Sequence, residues 1–139
     1  MIDPANVPAV TDGEILARFA TQRSQFHRGE RTVKPDLFTP HPHTELSVMR
    51  HRDASLEEIW QVGRAIAADM NRTLYGRADI SADACNVGDL FVVASPILPG
   101  NPNHADIKGW PPEKEDKKSL AQKLVAAATK LIPPLPIGD

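Results

Sequence analysis

Apolar residues recur at helical spacing in three stretches of the chain. The first follows Thr11-Asp-Gly-Glu14 and the second follows Ser55-Leu-Glu-Glu58; both segments have the spacing of a capping box, which marks a helix start. The third begins at Asp116 or Ser119 and stops at residues 133–136, PPLP, because proline cannot continue the helical ladder. The pattern predicts three helices. The second, over 55–72, has the clearest apolar stripe, formed by Ile59, Val62, Ile66 and Met70. We expect this stripe to be buried against residues 90–94 and 120–131.

Shorter segments show the period of a strand. Residues 45–50 alternate between apolar and polar positions, with Leu46 and Val48 on one face. Residues 90–94 form a continuous apolar run, which is typical of a strand buried on both faces, and residues 104–108 are a third candidate. These elements alternate without a regular βαβ period. We therefore predict an α+β fold: one small domain with three main helices packed on a short, mixed or antiparallel sheet of about three strands.

Length and composition are those of an ordinary globular domain. The chain has 139 residues, of which 41% are apolar and 24% charged, enough to bury a core without staples. We predict a globular domain over 11–132, a loosely ordered tail over 1–10 and a proline-rich tail over 133–139. One cysteine, no apolar run of bilayer length and no visible secretory signal lead us to expect a cytoplasmic protein without membrane contact.

The cations are unevenly distributed, although the net charge is only −2. Every arginine lies at or before Arg77, whereas every cation beyond it is a lysine. Arginine is the side chain whose planar fork matches phosphate and carboxylate groups. Residues 18–34 carry five cations against the single acid Glu30. This segment indicates either a solvated charged face or an anion-binding arm that presents Arg23, Arg28 and Arg31.

Two short pairs have the spacing of metal ligands on a strand. His41 and His43, and likewise His104 and Asp106, stand two residues apart, so each pair shares one face of an extended segment. Imidazole and carboxylate groups suit zinc, and four ligands would converge if the two segments were neighbours. No His-Glu-x-x-His motif accompanies the pairs. We expect no cofactor, with zinc or another divalent metal as the alternative.

Other catalytic motifs are missing from the sequence. It contains no Gly-x-Ser-x-Gly elbow and no glycine-rich phosphate loop. Cys85 has no neighbouring cation in the sequence, which favours a small buried thiol over a nucleophile. A candidate site therefore has to come from clustering, and two connectors, 74–79 (LYGRAD) and 101–113 (NPNHADIKGWPPE), combine polar and aromatic residues.

These connectors predict a common binding rim. An arginine and a histidine beside a tyrosine and a tryptophan can hold a phosphate by charge and a ring by stacking. We expect His104 and Arg77 to lie on the same face of the fold, near Tyr75 and Trp110. The alternative is structural: Gly76 would end the long helix, Arg77 would pair with a neighbouring acid, and Trp110 would cover the core.

Our first functional hypothesis is a small intracellular binding or accessory module. It would recognise a phosphate-bearing ligand, either nucleic acid or nucleotide, or act as a subunit of a larger assembly with a protein partner. The near-neutral charge argues against tight non-specific DNA binding. The predicted ligand-binding residues are the cations and aromatics Arg23, Arg28, Arg31, Arg50, Tyr75, Arg77, His104 and Trp110.

The alternative hypothesis is a phosphoryl- or ribosyl-transfer enzyme, with or without a metal. His104 would be the general acid or base, Asp106 would orient it, and Arg77 and Lys108 would stabilise anionic charge. A third hypothesis is a protein–protein adaptor. A concave pocket lined by His104 together with Arg77 or Arg50 would favour the enzyme, whereas a flat or convex arrangement would favour the module.

Overall fold

A computed structural model describes residues 2–40 and 44–135 of the chain. Short 3₁₀ helices lie at Arg23–Gln25, Pro35–Phe38 and Asp83–Cys85. Neither α-helix in the described residues is both long and apolar enough to cross a membrane. The main elements, in chain order, are β1 (Ile15–Ala20), β2 (Leu46–Arg50), α1 (Leu56–Asp69), β3 (Gly76–Ser81), β4 (Phe91–Ala94), β5 (His104–Lys108) and α2 (Lys114–Ala127).

The strands form one antiparallel sheet in the order β3-β1-β2-β5-β4. The structure has an α+β fold, but the predicted three helices on about three strands are wrong, since the described residues form two α-helices and five strands. The stretch predicted as the first helix is β1, and the LYGRAD connector supplies most of β3. Both differences from the prediction have one cause, the pairing of β1 with β3 along six residues. This pairing outweighs the helical spacing of apolar residues in the β1 segment.

The two α-helices lie on opposite faces of the sheet. Side chains alternate along each strand, so Leu16 and Ala20 of β1 point to the α2 face while Ala17 and Phe19 point to the α1 face. The larger apolar cluster lies on the α2 face, where Ala121 and Leu124 of α2 join strand residues and the 3₁₀ helix 35–38. The core is therefore divided in two by the sheet.

Helix α1 begins as predicted, but it packs differently. Ser55 and Glu58 form the reciprocal capping box. The buried residues are Ile59, Trp60, Gly63 and Ala67, whereas Met70 is 52% exposed. They pack on Ala17, Phe19 and Met49 of the sheet, so the expected packing of the stripe against residues 90–94 and 120–131 is wrong. A Cβ at position 63 would lie 2.6 Å from the Phe19 ring, which explains glycine at that contact.

An N-terminal strap, residues 6–14, is held against the sheet by arginines. The Arg50 side chain is fully buried and forms a bidentate ion pair with Glu14, at 2.6 and 2.8 Å. The same guanidinium donates to the Pro8 carbonyl at 2.7 Å, and Arg52 donates to the Asn6 carbonyl at 2.7 Å. Asn6 and Pro8, within the segment expected to form a loose tail, thus accept hydrogen bonds from Arg52, just after β2, and from Arg50 at its end.

The two edges of the sheet differ in whether another segment of the chain covers them. Along β3, Arg77 exchanges backbone hydrogen bonds with Ile132, at 3.0 and 2.8 Å, so the segment after α2 covers that edge. Gly76 permits this approach, because a Cβ there would collide with the Ile132 carbonyl oxygen. At the other edge β4 pairs with β5, its one partner strand among residues 2–40 and 44–135. The expectation that residues 90–94 are buried on both faces is wrong, since Phe91 is 48% exposed.

Candidate functional site

A groove of about 800 Å³ opens where β1 and β2 diverge, between the C-terminal half of α1 and the 3₁₀ helix 35–38. Apolar side chains from the α1 face form one wall: Phe19, Met49, Val62, Ile66 and Met70. The rest of the lining is largely polar and includes Arg18, Gln25, Asp36, Glu45, Ser47, Asp69, Arg72, Asn101 and His104. The groove thus combines an apolar wall with charged groups.

The groove exists because β1 leaves β2 after two residue pairs. Leu16 pairs with Arg50 and Ala17 with Met49, whereas β1 remains paired with β3 along its whole length. Continued register would place Phe19 opposite Ser47, but the side chain of Arg18 fills this gap. Its Nε donates to the Leu37 carbonyl at 2.8 Å, and its Nη1 donates to the Ser47 carbonyl at 3.0 Å.

Arg18 is a charged group with neutral hydrogen-bond partners. Burial lowers the pKa of its guanidinium to about 10, and the negative charge of Asp36 opposes that shift. Asp36 itself accepts a hydrogen bond from the Ser24 hydroxyl at 2.7 Å. Among the described residues, no carboxylate lies within 4.0 Å of the Arg18 nitrogens. Arg18 therefore keeps its charge at neutral pH without a direct ionic partner.

His104 lines the same groove and is oriented by two neighbours. Its Nδ1 lies 2.9 Å from the Ser95 carbonyl oxygen, and a carbonyl only accepts, so Nδ1 carries the hydrogen. Ser95 Oγ lies 2.9 Å from the same Nδ1 and donates to Asp106 Oδ2 at 2.8 Å. His104 Nε2 is 3.9 Å from Asp106 Oδ1, beyond hydrogen-bonding distance.

Two consequences follow from this arrangement. In the neutral imidazole, Nε2 is the nitrogen with a free lone pair, so it can accept a hydrogen bond or a proton. Ser95 is not set up as a nucleophile, because its hydroxyl hydrogen goes to Asp106 and not to the histidine. Asp106 is linked to His104 through the Ser95 hydroxyl, and its role in orienting the histidine stays a prediction.

Arg77 lies in a separate, covered cluster. It stacks over the Trp60 ring, with its guanidinium carbon 4.7 Å from the ring centroid, and its Nε donates to Asp79 at 3.1 Å. His51 Nε2 donates to the same carboxylate at 3.0 Å. Burial raises the pKa of Asp79, but the hydrogen bonds from His51 and Arg77 outweigh burial and lower it overall.

The structure brings His104 and Asp106 together but not Arg77. Residues 77 and 104 project from the same face of the sheet, as predicted, because their strand positions share parity. Their strands β3 and β5 are three positions apart, which separates them by roughly 14 Å. Arg50 is committed to Glu14 and the strap. Neither arginine lines the groove with His104; Arg18 does.

The predicted aromatic partners point elsewhere. Trp110 packs against the cluster on the α2 face and donates to the Ile107 carbonyl at 2.9 Å, so it is not beside His104. Tyr75 also contacts that cluster, and Arg23 lies over its ring at 5.9 Å. Lys108 is paired with Glu45 at 3.4 Å in an exposed position. The single rim expected from the sequence is thus spread over both faces.

The remaining candidates lie away from the groove or outside the described residues. Arg28 and Arg31 are exposed on the turn between the bridged residues 26 and 33. Within residues 2–40 and 44–135, no three histidine, cysteine or carboxylate side chains cluster as metal ligands. His41 and His43 lie outside those ranges, so the four-ligand hypothesis stays a prediction. The binding and catalytic roles assigned from sequence likewise stay predictions.

Sequence reasoning missed two residues of this site. Arg18 was counted in a basic segment and not recognised as the one charge inside the strand sequence ILARFA. The signal was present, because a lone arginine among small and apolar strand residues needs a specific partner. Ser95 left no such signal, since its role depends on the pairing of β4 with β5.

Comparison of the chain with family models, with curated proteins and with solved structures gives no match.

Proposed function

We propose that this protein is a binding module whose groove holds a small ligand with one anionic group. The anionic group that we favour is a phosphate. The observation that carries the proposal is the setting of Arg18, a half-buried cation whose hydrogen bonds go to neutral carbonyls. A partly desolvated charge without an ionic partner is less stable than a paired one. A phosphate or carboxylate oxygen would supply that partner through a charge-assisted hydrogen bond.

The size and wall of the groove support a small molecule as the ligand. Its volume of about 800 Å³ lies within the range of small-molecule pockets. The apolar side chains Phe19, Val62 and Ile66 would contact the uncharged body of the ligand. His104 Nε2 would accept a hydrogen bond from a ligand hydroxyl or N–H group.

The charges of the lining favour one anionic group over several. Arg18 and Arg72 share the groove with three carboxylates, those of Asp36, Glu45 and Asp69. A polyphosphate or a nucleic-acid strand would bring repeated negative charge close to these acids, and like charges repel. We therefore favour a mononucleotide or a ligand of similar chemistry over nucleic acid.

A second candidate function is a transfer enzyme that uses His104 as a general base. Two observations favour it: the free Nε2 and the presence of Arg18 in the same concave groove. A general base beside a cation that stabilises anionic charge is a common catalytic pair. Phosphoryl transfer from a nucleotide would separate this candidate from binding alone, since a binding module leaves the ligand unchanged.

The test is calorimetric titration of the wild-type protein with inorganic phosphate and with nucleoside monophosphates. Arg18→Met should weaken binding at least about tenfold, or about 1.4 kcal/mol, because the anion loses its charged partner. Arg18→Lys should give an intermediate loss, since lysine keeps the charge but not the fork.

The matched control is Arg64→Met. Arg64 lies on α1 and also donates to a backbone carbonyl, that of Leu135, at 2.6 Å, but it does not line the groove. Its loss should leave affinity unchanged. No binding by the wild type, or equal affinity in Arg18→Met, would contradict the proposal.

A further inference from the structure

The free edge of the sheet, strand β4, presents an unpaired hydrogen-bonding row. Ser95 donates its N–H to the His104 carbonyl of β5 at 3.0 Å, so Ser95 and, by alternation, Val93 and Phe91 direct their backbone groups inward. The backbone N–H and C=O groups of Val92 and Ala94 therefore point outward. Among the described residues, β4 has β5 as its one partner strand.

This edge is short and is followed by Pro96, but the strand itself carries no side chain that would prevent pairing. The sequence from residue 91 to residue 94 is FVVA, with no charge and no proline, whereas natural edges are commonly blunted by lysine, proline or a bulge. Exposed apolar side chains lie in the strand and just after it: Phe91 is 48% exposed, Ile97 54% and Leu98 58%. The opposite edge, by contrast, is covered by residues 129–132.

We propose that β4 pairs with β4 of a second copy of this chain, antiparallel and about a two-fold axis at Val93. An antiparallel pair of identical strands is self-complementary, because each residue contacts its symmetry equivalent across the axis. With the axis at Val93, Val92 of one copy lies opposite Ala94 of the other. Four hydrogen bonds then form between these residues, and every outward N–H and C=O of Val92 and Ala94 gains a partner.

Neighbouring registers leave backbone groups unpaired. An axis at Val92 would set Ala94 opposite Leu90, whose N–H already donates to the Val87 carbonyl at 3.0 Å. An axis at Ala94 would set Val92 opposite Pro96, which has no N–H. Either arrangement leaves one strand carbonyl without a donor. A second copy therefore satisfies all the outward backbone groups of this strand in one of these three registers, the one centred on Val93.

The pairing would also join two open surfaces. Phe91 and Val93 lie on the α1 face of the sheet, on the half that α1 leaves uncovered. In the dimer Phe91 is opposite Ser95 of the second copy, so its exposed ring would pack across the junction. The result is a ten-stranded antiparallel sheet with an α1 helix near each end.

Disulfide trapping tests the register directly. In the proposed dimer the two Val93 residues form a non-hydrogen-bonded pair with Cα atoms about 4.5 Å apart, within the range that a disulfide spans. Val93→Cys should therefore oxidise to a cross-linked dimer. The chain's own cysteine, Cys85, is buried and does not compete.

Phe91→Cys is the matched control on the same strand and face. Two copies of residue 91 would be about 14 Å apart in this register, too far for a disulfide. Cross-linking of Phe91→Cys as readily as of Val93→Cys would overturn the register.

Light scattering after size exclusion tests the dimer without cross-linking. The wild type should have twice the mass of the 15.2 kDa chain. Val93→Lys should be monomeric, because it places two like charges directly opposite each other. Gln122→Lys adds the same charge on the exposed side of α2 and should remain dimeric. A monomeric wild type, or a dimer that Val93→Lys leaves intact, would overturn the proposal.

Discussion

The α1 face of the sheet carries two histidine–aspartate pairs in different surroundings. His51 and Asp79 lie at the covered end, where Arg77 and the Trp60 ring complete a closed cluster. His104 and Asp106 lie at the open end, linked through Ser95. In the covered pair, Nε2 of the histidine donates a hydrogen bond to the carboxylate. In the open pair, Nδ1 donates to a carbonyl and Nε2 remains free.

The difference shows that the types and spacing of these residues do not determine whether they stabilise the fold or line a binding site. Both aspartates are two residues from a charged or titratable neighbour on the same strand. Helix α1 covers the first pair, which therefore supports the structure. It does not cover the second pair, which therefore lies beside the groove. Changes at the covered end should therefore affect stability, and changes at the open end should affect ligand binding.

The largest effect is expected for Trp60→Ala, which empties the covered end. Trp60 is 1% exposed and contacts both Phe19 and Arg77. The free energy of unfolding should fall by about 3–5 kcal/mol, the usual cost of removing a large core aromatic. Urea denaturation measures it. Met70→Ala, at a site 52% exposed, is the control and should change stability by no more than about 0.5 kcal/mol.

Asp79→Asn should produce the next largest effect. It leaves the Arg77 guanidinium, 7% exposed, without its charged partner, and an unsatisfied buried group costs about 1–3 kcal/mol. Asp106→Asn is the comparison at the open end and should cost less, because no arginine depends on it. Equal losses of stability in the two variants would remove the distinction between the two ends.

Asp79→Asn should also make the stability of the protein depend less on pH. The pKa of Asp79 is lower in the folded protein than its ordinary value, so its stabilisation is complete at neutral pH. This stabilisation is lost as the pH falls below about 4 and the carboxylate is protonated. Glu14 shifts in the same direction and remains in the variant. Melting temperatures across acidic pH should therefore fall less steeply for Asp79→Asn than for the wild type.

Ile66→Ala lies at the boundary between the two ends. Had the apolar stripe of α1 been fully buried, this change would have cost roughly 2–5 kcal/mol. Ile66 is half-buried and forms part of the groove wall, so we expect about 1 kcal/mol. Titration should also show weaker ligand binding, since the apolar wall recedes. A full core cost would mean that Ile66 belongs to the covered end.

The smallest effect on stability is expected at His104. His104→Asn keeps a donor near the Nδ1 position and loses Nε2, so stability should stay within about 0.5 kcal/mol of wild type while affinity falls. His104→Gln extends toward the Nε2 position and loses the bond to Ser95. It should retain more affinity at a cost of about 1 kcal/mol. The reverse order of affinities would show that Nδ1, and not Nε2, serves the ligand.

Local signals in the sequence predicted two elements of the fold correctly. The Ser55–Glu58 capping box marks the true start of α1, and the alternation over 45–50 marks β2. The Thr11–Glu14 box misled because Glu14 does contact the Thr11 N–H, as in a helix start. Its carboxylate, however, is shared with Arg50, 36 positions away. Only that distant partner decides that a turn and a strand follow.

The candidate site was harder to predict, because it depends on where two strands stop pairing. Nothing in the residues of β1 or β2 indicates that they separate after Ala17 and Met49. The role of Arg18 follows from this separation, and the orientation of His104 follows from the position of Ser95 on the neighbouring strand. Such features belong to the register between segments, which a single sequence does not display.

The N-terminal strap has a consequence for how the protein opens. Arg50 is inaccessible to solvent while Pro8, Ala9 and Glu14 remain in contact with it. If the strap detached, the buried Arg50 guanidinium would lose its hydrogen-bond partners. Detachment of the strap is therefore coupled to unfolding of the sheet beneath it. A protease directed at residues 6–14 should therefore cut at a rate that follows global unfolding. Amide hydrogens at the end of β2 should exchange on the same timescale.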